Sequence, residues 1–389
     1  MNRVTIASRA VILLLILSMI TACWDRREMD DLALIMGSGI DLTEDGLIEV
    51  SYQIALPTGI PSAVKSGGSQ KQVVVISAKG NDLQEALGRI QAQMSRFIYF
   101  GHREIMLIGE NCARHGLNQI QDLFTRYPET RFNSYVLTTY GGTAKEILNA
   151  PYPMELIPAL AISKIQNSRL SFSVKLDKFL EAFSTPGISP VTAAIRIIHK
   201  GTDKESIVID RAAVYQGNTL KGFIPPDELE LLRWWIDDPY RLGFTMQIEP
   251  EDKNYKGTVS IKSSKSSVKI HSKIIDGRPE AKVNFRIVVK AVSNNTKLDL
   301  NNVKDRTFVE KKFAVHLHTK FIQMLNLVQK DLKTDIFGIG EDLHIEHPYV
   351  WKKIKDSWSE LFPEIPVSIE VKVQIEQIGK TQGHSEIKK

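Results

Sequence analysis

The sequence predicts an α+β protein: a three-domain, mixed α/β chain whose C-terminal domain is an antiparallel sheet with helices packed on one face. Three observations carry that prediction. Strand-like and helix-like patterns alternate through residues 32–149, the mark of a mixed α/β domain. A hairpin and a helix opened by Pro225-Pro226 follow Gly201, and they read as a small middle domain. In the last third, strands with strict apolar–polar alternation are separated by two amphipathic helices, which can cover the one apolar face such strands present. At 389 residues the chain also exceeds what one hydrophobic core organises. The expected divisions are 1–22 (signal peptide), 23–200 (N-terminal domain), 201–250 (middle domain), 251–380 (C-terminal domain) and 381–389 (tail).

The first residues set the context for the rest. Arg3 and Arg9 flank an apolar run, Val11 to Leu17, that continues through Met19 and Ile20. Thr21 and Ala22 then precede Cys23, which gives the layout of a secretory signal peptide. The run from Ala10 to Ile20 is too short to span a bilayer, which takes about 20 apolar residues. Ile20-Thr21-Ala22-Cys23 resembles the bacterial lipobox, whose cysteine sulfur receives a diacylglyceryl group before cleavage. Cys23 is therefore the predicted lipidation site, the alternative being a secretory peptide followed by an incidental cysteine. Two or more acyl chains hold a protein stably at a membrane where one does not. The remainder would be a body tethered outside that membrane.

The elements follow in order. Leu32 to Ile40 reads as a strand ending in Gly37-Ser38-Gly39. Ile48, Val50, Tyr52, Ile54 and Leu56 alternate with polar or small residues as a half-buried strand does. Pro57 to Gln72 has loop composition. Val73 to Ala78 is a strand, and Asn81 is the expected cap of a helix, with Gln84 completing a capping box. Leu83, Leu87, Ile90 and Met94 form that helix's apolar stripe. Phe97 to Ile108 is strand-like, residues 111–127 are helical with a break at Gly116, Asn133 to Tyr140 is a strand and Thr143 to Asn149 a short helix. Phe179 to Phe183 reads as helical, before the turn residues Ser184-Thr185-Pro186-Gly187.

Ala212 to Tyr215 and Leu220 to Phe223 form the hairpin around Gln216-Gly217-Asn218. Asp227, Glu228 and Glu230 sit in the first turn of the next helix, where its dipole favours them. In the last third Val259 and Ile261, Val268 and Ile270, Val283 to Val289 and Val367 to Ile375 mark the strands. Leu317, Phe321, Met324, Val328 and Leu332 place a long helix over residues 308–332, and Trp351, Trp358 and Leu361 share a face of a second.

Composition is that of an ordinary globular protein, 43% hydrophobic and 24% charged. The net charge of +5 becomes +3 once Arg3 and Arg9 leave with the peptide. Residues 251–389 hold 25 lysines and arginines against 18 carboxylates, and residues 23–250 hold 23 against 27. Such asymmetry points to a partner surface or anionic lipid, or to strand edges protected by lysines. Lys262, Lys265, Lys269 and Lys273 are its densest part. With Cys23 acylated, Cys112 has no partner and no internal disulfide forms.

Catalytic signatures are missing. Gly37-Ser38-Gly39 and Gly338-Ile339-Gly340 lack the third glycine of a nucleotide site, and there is no P-loop, G-x-S-x-G or H-E-x-x-H. His344 and His347 lie near Glu341, Asp342 and Glu346 but before Pro348, a turn rather than a metal site. His316 and His318 point to different faces of one helix. His102 reads as hydrogen-bonded structure, and Trp234, Trp235, Trp351 and Trp358 as core. The basic tail lacks the aromatic interleaving of a nucleic-acid platform, so no nucleic-acid partner, no metal and no cofactor is expected. The expectation is a non-enzymatic protein.

Several segments together resemble the Ger(x)C spore germination lipoproteins, the C subunits of nutrient germinant receptors in endospore-forming bacteria. They begin with Cys23-Trp24-Asp25-Arg26-Arg27-Glu28 and continue through Ser95-Arg96, Gly101-His102, Ile108-Gly109-Glu110, Gly116 and Arg126. Gln329-Lys330-Asp331-Leu332, Asp335 to Gly340, Trp351, Trp358 and Phe362 complete the order. The resemblance implies a three-domain body without catalytic activity, assembled with two integral-membrane partners, the A and B subunits, at the outer face of the spore inner membrane. It implies a response to small nutrients, with lipidation of Cys23 the one residue role that carries over. The competing readings are a lipid-anchored solute-binding protein, which needs two similar lobes, and a hydrolase, which needs a nucleophile–base pair.

Overall fold

The structure, a computed structural model, describes residues 28–56, 72–118, 132–168, 171–200, 204–236, 243–248 and 257–377. Two sheets organise it. The first has nine strands in the order β3-β2-β1-β5-β6-β7-β8-β9, with β4 beside β1. They are β1 (Leu32–Leu42), β2 (Ile48–Ala55), β3 (Val73–Gly80), β4 (Phe97–Tyr99), β5 (Ile105–Ile108), β6 (Tyr135–Thr139), β7 (Val191–Lys200), β8 (Lys204–Gln216) and β9 (Thr219–Ile224). The centre β1-β5-β6-β7 is parallel, and antiparallel hairpins extend it on both sides.

A parallel centre must be covered on both faces, which is why β5 reads Ile105-Met-Leu-Ile108 with no polar position. Ile105 and Leu107 face one core with α3 (Ala144–Asn149) and α4 (Pro158–Asn167). Met106 and Ile108 face the other, covered by α1 (Leu83–Gln91), α2 (Glu110–His115) and α5 (Leu176–Ser184). Buried Gln53 of β2 ties both helices of the first face: it donates to the Leu148 carbonyl (2.5 Å) and accepts from the Ala159 amide (3.0 Å).

The second sheet has the order β10-β11-β12-β13: β10 (Gly243–Ile248), β11 (Gly257–Ile275), β12 (Arg278–Asn294) and β13 (Val367–Gln377). β10 pairs only with residues 257–262 of β11. The inner face, with Val283, Phe285, Ile287 and Val289, meets α7 (Val303–Asn326) through Phe313, Leu317 and Phe321. Phe285 and Phe321 stack at 4.0 Å. α6 (Pro226–Trp235) links this core to the first sheet: Trp235 stacks on Phe337 at 3.8 Å, and Leu229, Trp234 and Trp235 share one apolar cluster with Leu107 and Phe285. Helices therefore cover one face of this sheet as expected.

Four details depart from the sequence reading. The last sheet is mixed, because β13 joins β12 in parallel; more than seventy residues separate the two strands, long enough for the crossover that parallel pairing needs. The segment 201–250 is divided between the sheets: β8 and β9 complete the first and β10 opens the second. The cap of α1 is Asp82, which accepts from the Glu85 amide, while Glu85 reaches back to the Asn81 amide (2.8 Å). The long helix starts at Val303, and its last residues, Leu327–Leu332, form a π turn closed by Lys333 at φ 51°. The helix expected over 111–127 is α2 as far as His115, and residues 119–127 lie outside the described residues.

Candidate functional site

Cys23, the predicted lipidation site, lies outside the described residues, as does Arg126. The other cysteine, Cys112, is a free, buried thiol that burial pushes up to about 12. Such a thiol stays protonated and inert. Among the described residues no group of histidine, cysteine and carboxylate side chains is placed to hold a metal. His344 packs beside Trp351 at 5.8 Å, and His102 is exposed with its ring edge toward Tyr99. Trp234, Trp235, Trp351 and Trp358 are all buried, the core role expected of them.

A cleft of about 520 Å³ opens at the C-terminal end of β6, where open α/β sheets commonly take ligands. Tyr140, Gly142, Glu146 and Asn149 are among its lining. Glu146 is committed to the capping box of α3, accepting from the Thr143 amide at 2.8 Å. The cleft offers no nucleophile–base pair.

Several of the motif residues occupy two buried polar joints. At the first, Asp41, the penultimate residue of β1, accepts from the Ala144 and Lys145 amides at 2.8 and 3.0 Å. Burial holds its carboxyl up at about 6 against the pull of those amides. Gly109 is required here, because a Cβ would stand 2.1 Å from the Asp41 carboxylate. Glu110 takes the Gly141 amide with its side chain (2.8 Å) and gives its own amide to Thr139 (2.9 Å). The Ile108-Gly109-Glu110 stretch thus ties β1, β5 and β6 together, and Asp41 beside it holds the start of α3.

The second joint surrounds Asp335. Its Oδ1 accepts from the amides of Phe337 (3.0 Å), Gly338 (3.0 Å) and Ile339 (3.3 Å), and its Oδ2 from the Gly340 amide (2.7 Å) and Trp358 Nε1 (3.2 Å). Burial again pushes the carboxyl up to about 6. Gln329, in the π turn, donates to the carbonyls of Phe362 (2.8 Å) and Ile365 (3.1 Å). The backbone of this knot meets the first half of the chain. The Ser189 amide donates to the Asp335 carbonyl (2.7 Å) and the Glu341 amide to the Gly187 carbonyl (3.1 Å). Gly187 and Gly340 touch backbone to backbone, so neither has room for a side chain. Nothing in the local sequence announced Gly187 as more than a turn residue.

Two family descriptions match the chain and together span most of it: "Spore germination protein N-terminal domain" over residues 25–197 and "Spore germination B3/GerAC like, C-terminal" over residues 210–379. The chain belongs to the GerAC spore germination family. Among curated relatives, Spore germination protein KC of Bacillus subtilis (strain 168) is 26% identical, with 95% of each chain covered. Spore germination protein B3 of the same strain is 24% identical over 96% of this chain and 98% of its own. In fold, the crystal structure of the GerBC protein superposes with a TM-score of 0.52, covering 87% of this chain and 97% of the other at 22% identity.

Within this GerAC chain the motif residues of the two joints are framework. Asp335 to Gly340, Gln329 and Trp358 build one joint, Gly109 and Glu110 the other. The remaining candidate surface is electrostatic. Lys262, Lys265, Lys269 and Lys273 are all exposed on β11, on the face of the second sheet opposite α7.

Proposed function

We propose that the chain is the lipid-anchored, non-enzymatic C subunit of a nutrient germinant receptor, needed for spore germination in response to small nutrients. The observation that carries this reading is the end-to-end similarity to spore germination proteins, through both halves of the chain. Cys23, nine residues ahead of β1, would hold the body at the outer face of the spore inner membrane, beside the integral-membrane A and B subunits. No helix among the described residues is long and apolar enough to cross a membrane, so attachment falls to the lipid in this reading.

The buried chemistry supports a scaffold role. Asp41 and Asp335, whose raised pKa values would suit acid–base work, are each surrounded by amide donors of the joints. The alternative of a lipid-anchored solute-binding protein is less well supported, because a nine-stranded and a four-stranded sheet are not two like lobes around a cleft.

The test is mass spectrometry of the mature N-terminus beside a germination assay. A thioether-linked lipid on Cys23 is expected, with Cys23→Ala giving misplaced protein and a nutrient-specific germination defect. Spores should still respond to stimuli that bypass the receptor. Unmodified Cys23 in fully responsive spores would refute the anchor.

A further inference from the structure

We propose that the outer face of the second sheet docks on an anionic lipid surface, laying the body against the membrane. The inference rests on the membrane location read above, but not on the chemistry of the anchor. Side chains alternate between the faces of a strand, so every second residue of β11, β12 and β13 builds this outer face. β11 contributes Lys262, Lys265, Lys269 and Lys273, with a bulge between Ser263 and Lys265 keeping the last three on the same side. β12 adds Lys282, Arg286 and Lys290, and β13 adds Lys372. Against these eight cations stand Glu280, Glu370 and Glu376. Glu370 is engaged by Lys282 and Lys372, each at 2.9 Å, which together hold its carboxyl down at about 2. Among the described residues no carboxylate forms an ion pair with Lys262, Lys265, Lys269, Arg286 or Lys290.

The placement runs against the interest of the fold. Lys262 lies directly opposite Lys290, and Arg286 directly opposite Lys372. Like charges in register destabilise a sheet. Protection of an open edge, the usual reason for strand lysines, can account for Lys372 on the edge strand β13 but not for Lys262, Lys290 or Arg286. β12 is hydrogen-bonded on both sides, to β11 and β13, and Lys262 sits where β11 is flanked by β10 and β12. Glu370 offsets Lys372, but the Lys262–Lys290 pair has no ion-pair partner among the described residues, and its cost to the sheet points to a counter-charge outside the molecule.

The composition selects lipid over protein as that counter-charge. Seven of the eight cations are lysine, which protein interfaces avoid, and between them lie Ser264, Ser267, Asn284 and Gln374 rather than aromatic anchors. Compact, hydrated ammoniums on flexible stems suit a field of phosphate headgroups read by charge density rather than by shape. From Lys262 to Lys273 the row extends about 35 Å at strand rise, several headgroups long.

The experiment is amine-reactive footprinting of the full chain, read by mass spectrometry. The chain is mixed with vesicles of phosphatidylcholine alone, or of phosphatidylcholine with about one third phosphatidylglycerol. In the anionic vesicles, labelling of Lys262, Lys265, Lys269 and Lys290 should fall about threefold or more, and recover at about 0.5 M salt. Lys79 and Lys221, exposed on the first half, should not change. A Lys262→Gln/Lys265→Gln/Lys269→Gln variant, altered only at exposed positions, should lose the protection of Lys290 with its circular dichroism unchanged.

Equal labelling in both vesicles overturns the proposal. So does protection by inorganic phosphate alone, or protection only in native membranes that carry other proteins, which would mean an acidic protein surface. The two readings fail separately: protected lysines with unmodified Cys23 remove the anchor and keep the docking face, and lipidated Cys23 with unprotected lysines does the reverse.

Discussion

Replacing Gly187 by alanine tests whether the two halves of the chain are held as one body. Gly187 has φ +85°, and a Cβ there would lie 2.2 Å from the Gly340 carbonyl carbon and 2.4 Å from the Glu341 nitrogen. Both are backbone atoms of the Asp335 knot and cannot swing aside. A non-glycine residue at positive φ costs about 1–2 kcal/mol, and overpacking a tight contact costs about 1–3 kcal/mol more. Parting the segments strains the Glu341–Gly187 and Ser189–Asp335 hydrogen bonds, each with a net worth of about 1 kcal/mol.

The expected loss is therefore about 3–6 kcal/mol. Gly46 is the control: its φ is +78°, but nothing lies within 4 Å of its Cβ position. Gly46→Ala should cost only the backbone penalty, about 1–2 kcal/mol. At about 2–4 °C per kcal/mol for a large domain, Gly187→Ala should melt about 5 °C or more below Gly46→Ala. Thermal unfolding followed by tryptophan fluorescence reads this directly, since Trp358 bonds Asp335 inside the joint. Equal melting temperatures for the two variants would refute the close approach, and with it the single-body reading.

Two further outcomes are expected. Asp41 and Asp335 both have folded-state values raised to about 6, so each contributes stability that is full below about pH 4 and is lost as pH rises through about 6. The melting temperature of the wild type relative to an Asp41→Asn/Asp335→Asn variant should increase as pH falls from about 7 to about 4.5; a constant difference would mean that neither carboxyl is displaced. Cys112 should resist maleimide in the native chain and react fully in denaturant, because its thiol is buried and held up at about 12. Rapid labelling under native conditions would place it at the surface.

Local pattern was legible in the sequence; long-range pairing was not. Val283 to Val289 and Val367 to Ile375 alternate as half-buried strands must, and both lie in the sheet where the alternation puts them. That periodicity is blind to direction, so the parallel entry of β13 could not be read from it. The hairpin of β8 and β9 was visible as a hairpin, but its place in the first sheet runs through β7, which pairs locally with β8 and, more than fifty residues away, with β6. Asn81 and Asp82 are both good caps; Asp82 takes the Glu85 amide, while Asn81, one residue earlier, gives its backbone and side-chain amides to the Glu85 carboxylate. The family motifs were visible as an ordered set, yet their work as joints was not. A buried carboxylate such as Asp335 shows its role only once the amides around it are in place. Gly187 is the clearest omission, since a glycine needed for a contact with residue 340 carries no mark within its own segment.

β13 is the last described strand and an edge strand, yet α7 and β12 both depend on it. Its Ile375 amide is taken by Glu310 of α7 at 2.7 Å, and its apolar side chains close the inner face over that helix. The consequence falls on biosynthesis. α7 and β12 leave the ribosome long before β13 does, and until it arrives the apolar core they share stays open on the side that Ile369, Val373 and Ile375 close. The second sheet therefore cannot be completed on a partial chain. A chain stopped before Val367 keeps most of its framework motifs but presents an open core to proteases. Only a polypeptide translated past Gln377 can therefore close the second sheet.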